Sequence, residues 1–92
     1  MLGYRMTLAY DGTAYAGWQV QPGLPTVQGT LEAALERIVG ARVRVVASGR
    51  TDAGVHALAQ VAGFRCTTRL APEVLRRAIN AHIPDDIYVA EL

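Results

Sequence analysis

The chain has a single cysteine, Cys66, and not one lysine. One thiol permits no intramolecular disulfide, which suits a reducing cytoplasm. Cys66, His56 and His82 fall at no metal-ligand spacing, so no metal is expected. No apolar run approaches the ~18–20 residues that cross a membrane. The start, Met1-Leu2-Gly3-Tyr4-Arg5, is broken by a charge before a signal-peptide core can form. Repeats, low-complexity tracts and linkers are lacking too. So is any large excess of charge: a net +1 gives no global field to steer nucleic acid, and RNA affinity has to come from a local patch.

What is present fits one folded domain. Ninety-two residues, 51% hydrophobic and 18% charged, can bury one modest core and argue against disorder. All nine basic residues are arginine, whose planar fork suits phosphate oxygens and stacks on bases.

Periodicity divides the chain. Met6, Leu8 and Tyr10 alternate with Arg5, Thr7 and Ala9, which predicts a strand over residues 4–10, ended by Asp11-Gly12. Residues 13–25 show no period and hold Gly17, Pro22, Gly23 and Pro25, the mark of a long loop. Thr26 is a plausible N-cap for a helix built on Val27, Leu31, Ala34, Leu35 and Ile38 and stopped by Gly40. Glu32 and Glu36 share its solvated face. A second strand follows, with Val43 and Val45 inward and Arg42 and Arg44 outward, then a third over residues 59–66. Pro72 opens a second helix, with Leu75, Ala78 and Ile79 inward, His82 at its end and Arg76 and Arg77 outside. Pro84-Asp85-Asp86 turns into a last strand over residues 87–91. The order β-α-β-β-α-β predicts an α+β, ferredoxin-like fold, an antiparallel four-stranded sheet with both helices on one face. Right-handed crossovers put the first and third strands in the middle and the second and fourth at the edges.

Between the second and third strands lies Gly49-Arg50-Thr51-Asp52-Ala53-Gly54-Val55-His56-Ala57. Two glycines bracket an arginine and a carboxylate, and both can hold a sharp, close-approach loop. Asp52 is read either as a turn former bonded to its own backbone or as a catalytic group displayed on a loop at a strand end. These nine residues closely resemble the active-site loop of the tRNA pseudouridine synthase A family. Tyr10-Asp11-Gly12-Thr13, Tyr15, Gly17-Trp18-Gln19 and Gln21 resemble its N-terminal signature. Thr26-Val27-Gln28-Gly29 with Leu31-Glu32 is a third match in the family's order.

The resemblance implies an isomerase that converts uridine to pseudouridine in the anticodon stem-loop of tRNA, without metal or cofactor, in the cytoplasm. It implies that residues 1–92 are the N-terminal ferredoxin-like half of a catalytic domain made of two such halves. Asp52 matches the catalytic aspartate, and Arg50 is the candidate to fill the gap left by a flipped base. Thr51, Gln19 and Gln21 are candidate RNA contacts. Trp18 either plugs the edge of the core or contacts RNA, and His56 is a plain loop residue or a weaker substrate contact. The family's base-contacting tyrosine comes from its second half, so the 92-residue chain alone is expected to fold without being active. An uncovered second-strand edge is expected to permit a weak homodimer, opposed by Arg42 and Arg44. A non-catalytic RNA-binding module of the same topology ranks below, because residues 57–64 lack its basic-glycine-aromatic pattern. A small-molecule regulatory domain does not call for Arg-Thr-Asp between glycines.

Overall fold

The computed structural model describes residues 1–49 and 51–92. Strands β1 (Leu2–Tyr10), β2 (Val46–Ala47), β3 (Ala57–Cys66) and β4 (Ile87–Glu91) form one antiparallel sheet in the order β2-β3-β1-β4. Helices α1 (Val27–Val39) and α2 (Pro72–Ala81) complete the ferredoxin-like β-α-β-β-α-β order. The long pairing is β1 with β3, in which Tyr4 faces Phe64, Met6 faces Ala62 and Leu8 faces Gln60. Opposed residues of a pair share a face. Met6, Leu8, Ala62 and Phe64 therefore turn together toward Leu31, Leu35, Leu75 and Ile79 of the helices, and all are buried. Cys66 lies in this core, and burial raises its thiol pKa.

Local chemistry ends each helix where the sequence implies. Thr26 Oγ1 accepts from the Gly29 amide at 3.2 Å, and Gly40 closes α1 in the left-handed region at φ 75°. Pro72 opens α2, and His82 caps its far end, exposed, with its amide donating to the Ile79 carbonyl.

The second strand is shorter than its β-branched run implies. Val43 and Val45 are buried between exposed Arg42 and Arg44, so the alternation holds, yet only Val46 and Ala47 pair with β3. Side chains take the place of the ladder at Val45. Its amide donates to Glu32 Oε2 at 2.8 Å, and its carbonyl accepts from Gln28 Nε2 at 2.8 Å. Glu32 is thus half-buried and bonded rather than solvated beside the exposed Glu36. The opposite margin is treated alike. Val89 on β4 donates to Asn80 Oδ1 at 2.8 Å, and its carbonyl accepts from Asn80 Nδ2 at 3.0 Å and Arg76 Nη1 at 3.1 Å. Arg76 is therefore not a free outer charge: it also holds Glu73 at 2.6 Å. Each helix lays polar side chains on one sheet margin where another strand could otherwise pair. β3 begins at Ala57 and β1 at Leu2, two residues earlier than the alternation alone suggests in each case.

Candidate active site

Residues 48–56 leave β2 and return as β3. One glycine of the pair behaves as expected: Gly54 sits at φ 77°, where a side chain is strained. Gly49 does not, since it has no positive φ and nothing lies near its missing Cβ. The close approach occurs across the gap, at glycines of the long loop. A Cβ on Gly12 would stand 1.9 Å from the Val55 carbonyl oxygen, and one on Gly17, at φ 92°, 2.8 Å from that of Thr51. Those two residues are small because the loop bearing Asp52 packs directly on their backbone.

Hydrogen bonds then fasten the two segments. The Trp18 amide donates to the Thr51 carbonyl at 3.0 Å, and the Gly54 amide donates to the Tyr15 carbonyl at 3.2 Å. The hydroxyls of Tyr10 and Thr51 are 2.7 Å apart. Within the loop, the Val55 amide donates to the Asp52 carbonyl at 3.1 Å, closing a turn around Ala53 and Gly54. At its base, Gln60 Nε2 donates to the Gly49 carbonyl at 2.8 Å. Asp52 itself is exposed. Its backbone is held on both sides while its carboxylate faces solvent, which suits a group that must meet a substrate from outside.

A second set of contacts supports the long loop. Tyr15 is buried, and its hydroxyl donates to Asp86 Oδ1 at 2.6 Å. Burial first, then the neighbouring carboxylate, push its pKa far above the ordinary phenol value. The Asp11 amide donates to the Asp86 carbonyl at 2.9 Å. Asp11 Oδ1 accepts from the amide and the hydroxyl of Thr13, which hold its pKa below the usual carboxylate value. His56 Nδ1 accepts from the Gly12 amide at 2.9 Å and lies 3.1 Å from Asp11 Oδ1. One nitrogen cannot serve both: a bare Nδ1 accepts from Gly12, and an Nδ1 that carries hydrogen donates to Asp11.

The other sequence-derived candidates separate into three groups. Trp18 is 2% exposed and tilted against Tyr10, with ring centroids 6.3 Å apart. It plugs the core beneath the loop, where its ring cannot stack on a nucleotide, and only its amide serves the site. Thr51 is partly buried with its hydroxyl engaged by Tyr10, so it supports the loop from below. Gln19 and Gln21 are exposed, and Gln21 Nε2 donates to the Ala16 carbonyl at 3.0 Å. Arg50 lies outside the described residues. Sequence reasoning missed Tyr10, Gly12, Tyr15 and Gly17 as supports. The available signal was that the two glycines and two tyrosines of residues 10–17 exceed what a plain connection needs.

Beside the loop, an open groove of about 480 Å³ runs past Tyr10, Asp11, His56, Leu58, Asp86 and Tyr88. Leu58 is 93% exposed and Tyr88 54%. Asp11 and Asp86 make this end of the sheet acidic as well as partly apolar.

Fold and site together define an α+β domain with ferredoxin-like topology that presents one outward carboxylate on a rigidly backed loop. A family model described as tRNA pseudouridine synthase matches residues 6–92, and the chain belongs to that family. It is 61% identical over 83 residues to the tRNA pseudouridine synthase A of Shouchella clausii, a match covering 89% of the chain and 32% of the relative. Against the synthase A of Methylacidiphilum infernorum it is 51% identical over 89 residues, 97% of the chain and 35% of the relative. With that of Thermosipho africanus it shares 53% over 90 residues, 97% and 37%. The matched region is thus about a third of the length of these curated relatives.

Proposed function

We propose that residues 1–92 are the N-terminal half of the catalytic domain of a cytoplasmic isomerase, one that converts uridine to pseudouridine in the anticodon stem-loop of tRNA. Asp52 is its catalytic carboxylate. The observation that carries this reading is the exposed Asp52 on a loop whose neighbouring carbonyl and hydroxyl are bonded to Trp18 and Tyr10. Catalysis needs the reacting group held in place before the substrate arrives.

A uridine in a stem must leave the stack before its glycosidic bond can be reached, at a cost of a few kcal/mol. Once it is out, a carboxylate can attack as a nucleophile, stabilise positive charge developing at the sugar, or take a proton. The uracil is then turned and rejoined through carbon, with no net change in composition and no cofactor. Arg50 is assigned to the space vacated by the base or to a flanking phosphate. Thr51 acts through Asp52 rather than on RNA. Gln19 and Gln21 remain exposed and within the reading as RNA contacts, and His56 borders the groove.

Alone, residues 1–92 are inactive in this reading. Asp52 faces open solvent, and with no facing half nothing excludes water or grips the flipped base. A non-catalytic RNA-binding module is disfavoured by the open face of the two central strands. Arg5, Thr7 and Ala9 on β1, and Ala59, Val61, Gly63 and Arg65 on β3, offer no aromatic ring to a base. The test is Asp52→Asn in the full-length protein, assayed by tritium release from 5-labelled uridine in tRNA. Loss of release with RNA binding retained is the expected result; near wild-type release defeats the assignment.

A further inference from the structure

The open face of the sheet carries a second polar feature, at the end away from Asp52. A groove of about 670 Å³ is lined there by Arg5 of β1, Arg65 of β3 and Arg44 of the segment entering β2. All three arginines are exposed. In the β1–β3 register Arg5 faces Gly63 and Arg65 faces Gly3. The two guanidiniums thus stand diagonally on one face, and the place opposite each has no side chain. Val46, 61% exposed, also pairs with Gly63 and forms one wall. Nothing lies within 4 Å of the missing Cβ of Gly3. Glycine inside a strand weakens it, and it marks a place where another group comes close to the backbone.

The charge in this groove is uncompensated. No acidic residue lines it. Among the described residues, the ion pairs involve His56, Arg76 and Arg77, not these three arginines. Diagonal neighbours on a sheet lie about 7–8 Å apart, so Arg5 and Arg65 repel one another until an anion comes between them. The far end of the same sheet has the opposite character, with Asp11, Asp85 and Asp86 around the groove beside the catalytic loop. A phosphodiester chain is drawn to this end in preference to the acidic groove.

We propose that the Arg5–Arg44–Arg65 groove is a phosphate-binding subsite that anchors the RNA backbone away from the reacting uridine. The proposal rests on the reading of the chain as part of an RNA-modifying enzyme, and deepens it. Arg5 and Tyr10 lie five positions apart on β1, about 17 Å at the rise of a strand, so the subsite takes phosphates beyond the flipped nucleotide. Guanidinium forks bind phosphate oxygens in pairs, and the bare backbone at Gly3 and Gly63 lets the strand settle between them.

The experiment uses the full-length protein with Arg5, Arg44 and Arg65 replaced by Gln, singly and together. Binding of an unmodified anticodon stem-loop RNA is measured over a salt series, beside single-turnover rates at saturating RNA and Tm. Each replacement is expected to lower the slope of log K against log salt by about 1. The triple variant is expected to bind about tenfold or more weakly at moderate salt, with the saturating rate and Tm retained. Unchanged slopes overturn the subsite. A lowered Tm with an unchanged slope assigns the groove to an acidic segment of the protein itself, and overturns it equally. Asp52→Asn runs as a separate arm: full activity there defeats the catalytic reading, while the salt slopes still report on the groove.

Discussion

The hydroxyl of Tyr10, at the end of β1, lies 2.7 Å from Oγ1 of Thr51, the residue before Asp52. Tyr10 is 4% exposed and packs on Trp18, whose amide donates to the carbonyl of the same threonine. Thr51 is therefore gripped at its side chain and its backbone by two residues rooted in the core. Core packing is transmitted in this way to the position of an exposed carboxylate.

Removing one hydroxyl tests that coupling. Tyr10→Phe in the full-length protein is expected to cost about 0.5–1.5 kcal/mol of stability. Its larger effect falls on the saturating single-turnover rate, which drops about tenfold or more as Asp52 loses its fixed geometry, with RNA affinity retained. Thr51→Val is expected to behave like Tyr10→Phe, and Thr51→Ser to restore most of the rate. Equal rates for all three variants and wild type would make the contact a packing detail only.

The glycines provide a sharper contrast. Gly12→Ala drives a methyl into the Val55 carbonyl, and Gly17→Ala combines a similar clash at Thr51 with an unfavourable φ of 92°. Each is expected to destabilise by about 1–3 kcal/mol or more. Gly49→Ala, with nothing near its Cβ, is expected to be close to neutral. Urea midpoints of the three variants check this, and a Gly49 variant as damaged as the other two contradicts the loop geometry.

Acid exposes the role of Asp11. Thr13 donors hold its folded pKa below the unfolded value of 3.8. A depressed carboxylate contributes stability that is complete above the unfolded pKa and is lost as pH falls through the folded one. The stability gap between wild type and Asp11→Ala is thus expected to shrink as pH falls below 3.8. Urea titrations at stepped pH measure it; a gap that widens in acid refutes the assigned sign.

The sheet margins bear on self-association. A two-fold dimer along β2 needs free backbone groups, and Glu32 and Gln28 occupy those of Val45. We expect the 92-residue chain to be mainly monomeric at low micromolar concentration, with a dimer forming only as concentration rises. Gln28→Ala combined with Glu32→Ala uncovers Val45 and is expected to shift the equilibrium toward the dimer. Sedimentation of both proteins over a concentration series decides it. A double variant that remains as monomeric as wild type removes edge pairing from consideration.

Local chemistry in the chain determined the order of elements, the caps at Thr26 and Gly40, the buried faces of both helices and the central place of β1 and β3. Each depends on spacing along a few turns or a few strand residues, and such periodicity survives without knowledge of distant partners. The motifs of residues 10–21 and 49–57 pointed likewise to Asp52 and to the family. Tertiary structure alone decided what those motif residues do for each other. Trp18 became a buried plug, Thr51 a support, and Gly12 and Gly17 the seats of a loop 34 or more residues away in sequence (Gly17 meets Thr51). It also turned Glu32 from a solvated helix residue into a cover for one sheet margin and set Asn80 over the other, and it delayed the start of β2 to Val46 because Val45 found its partners on α1. Hydrogen bonds between segments far apart in the chain leave no period in the sequence, since their geometry exists only after the core has brought the segments together.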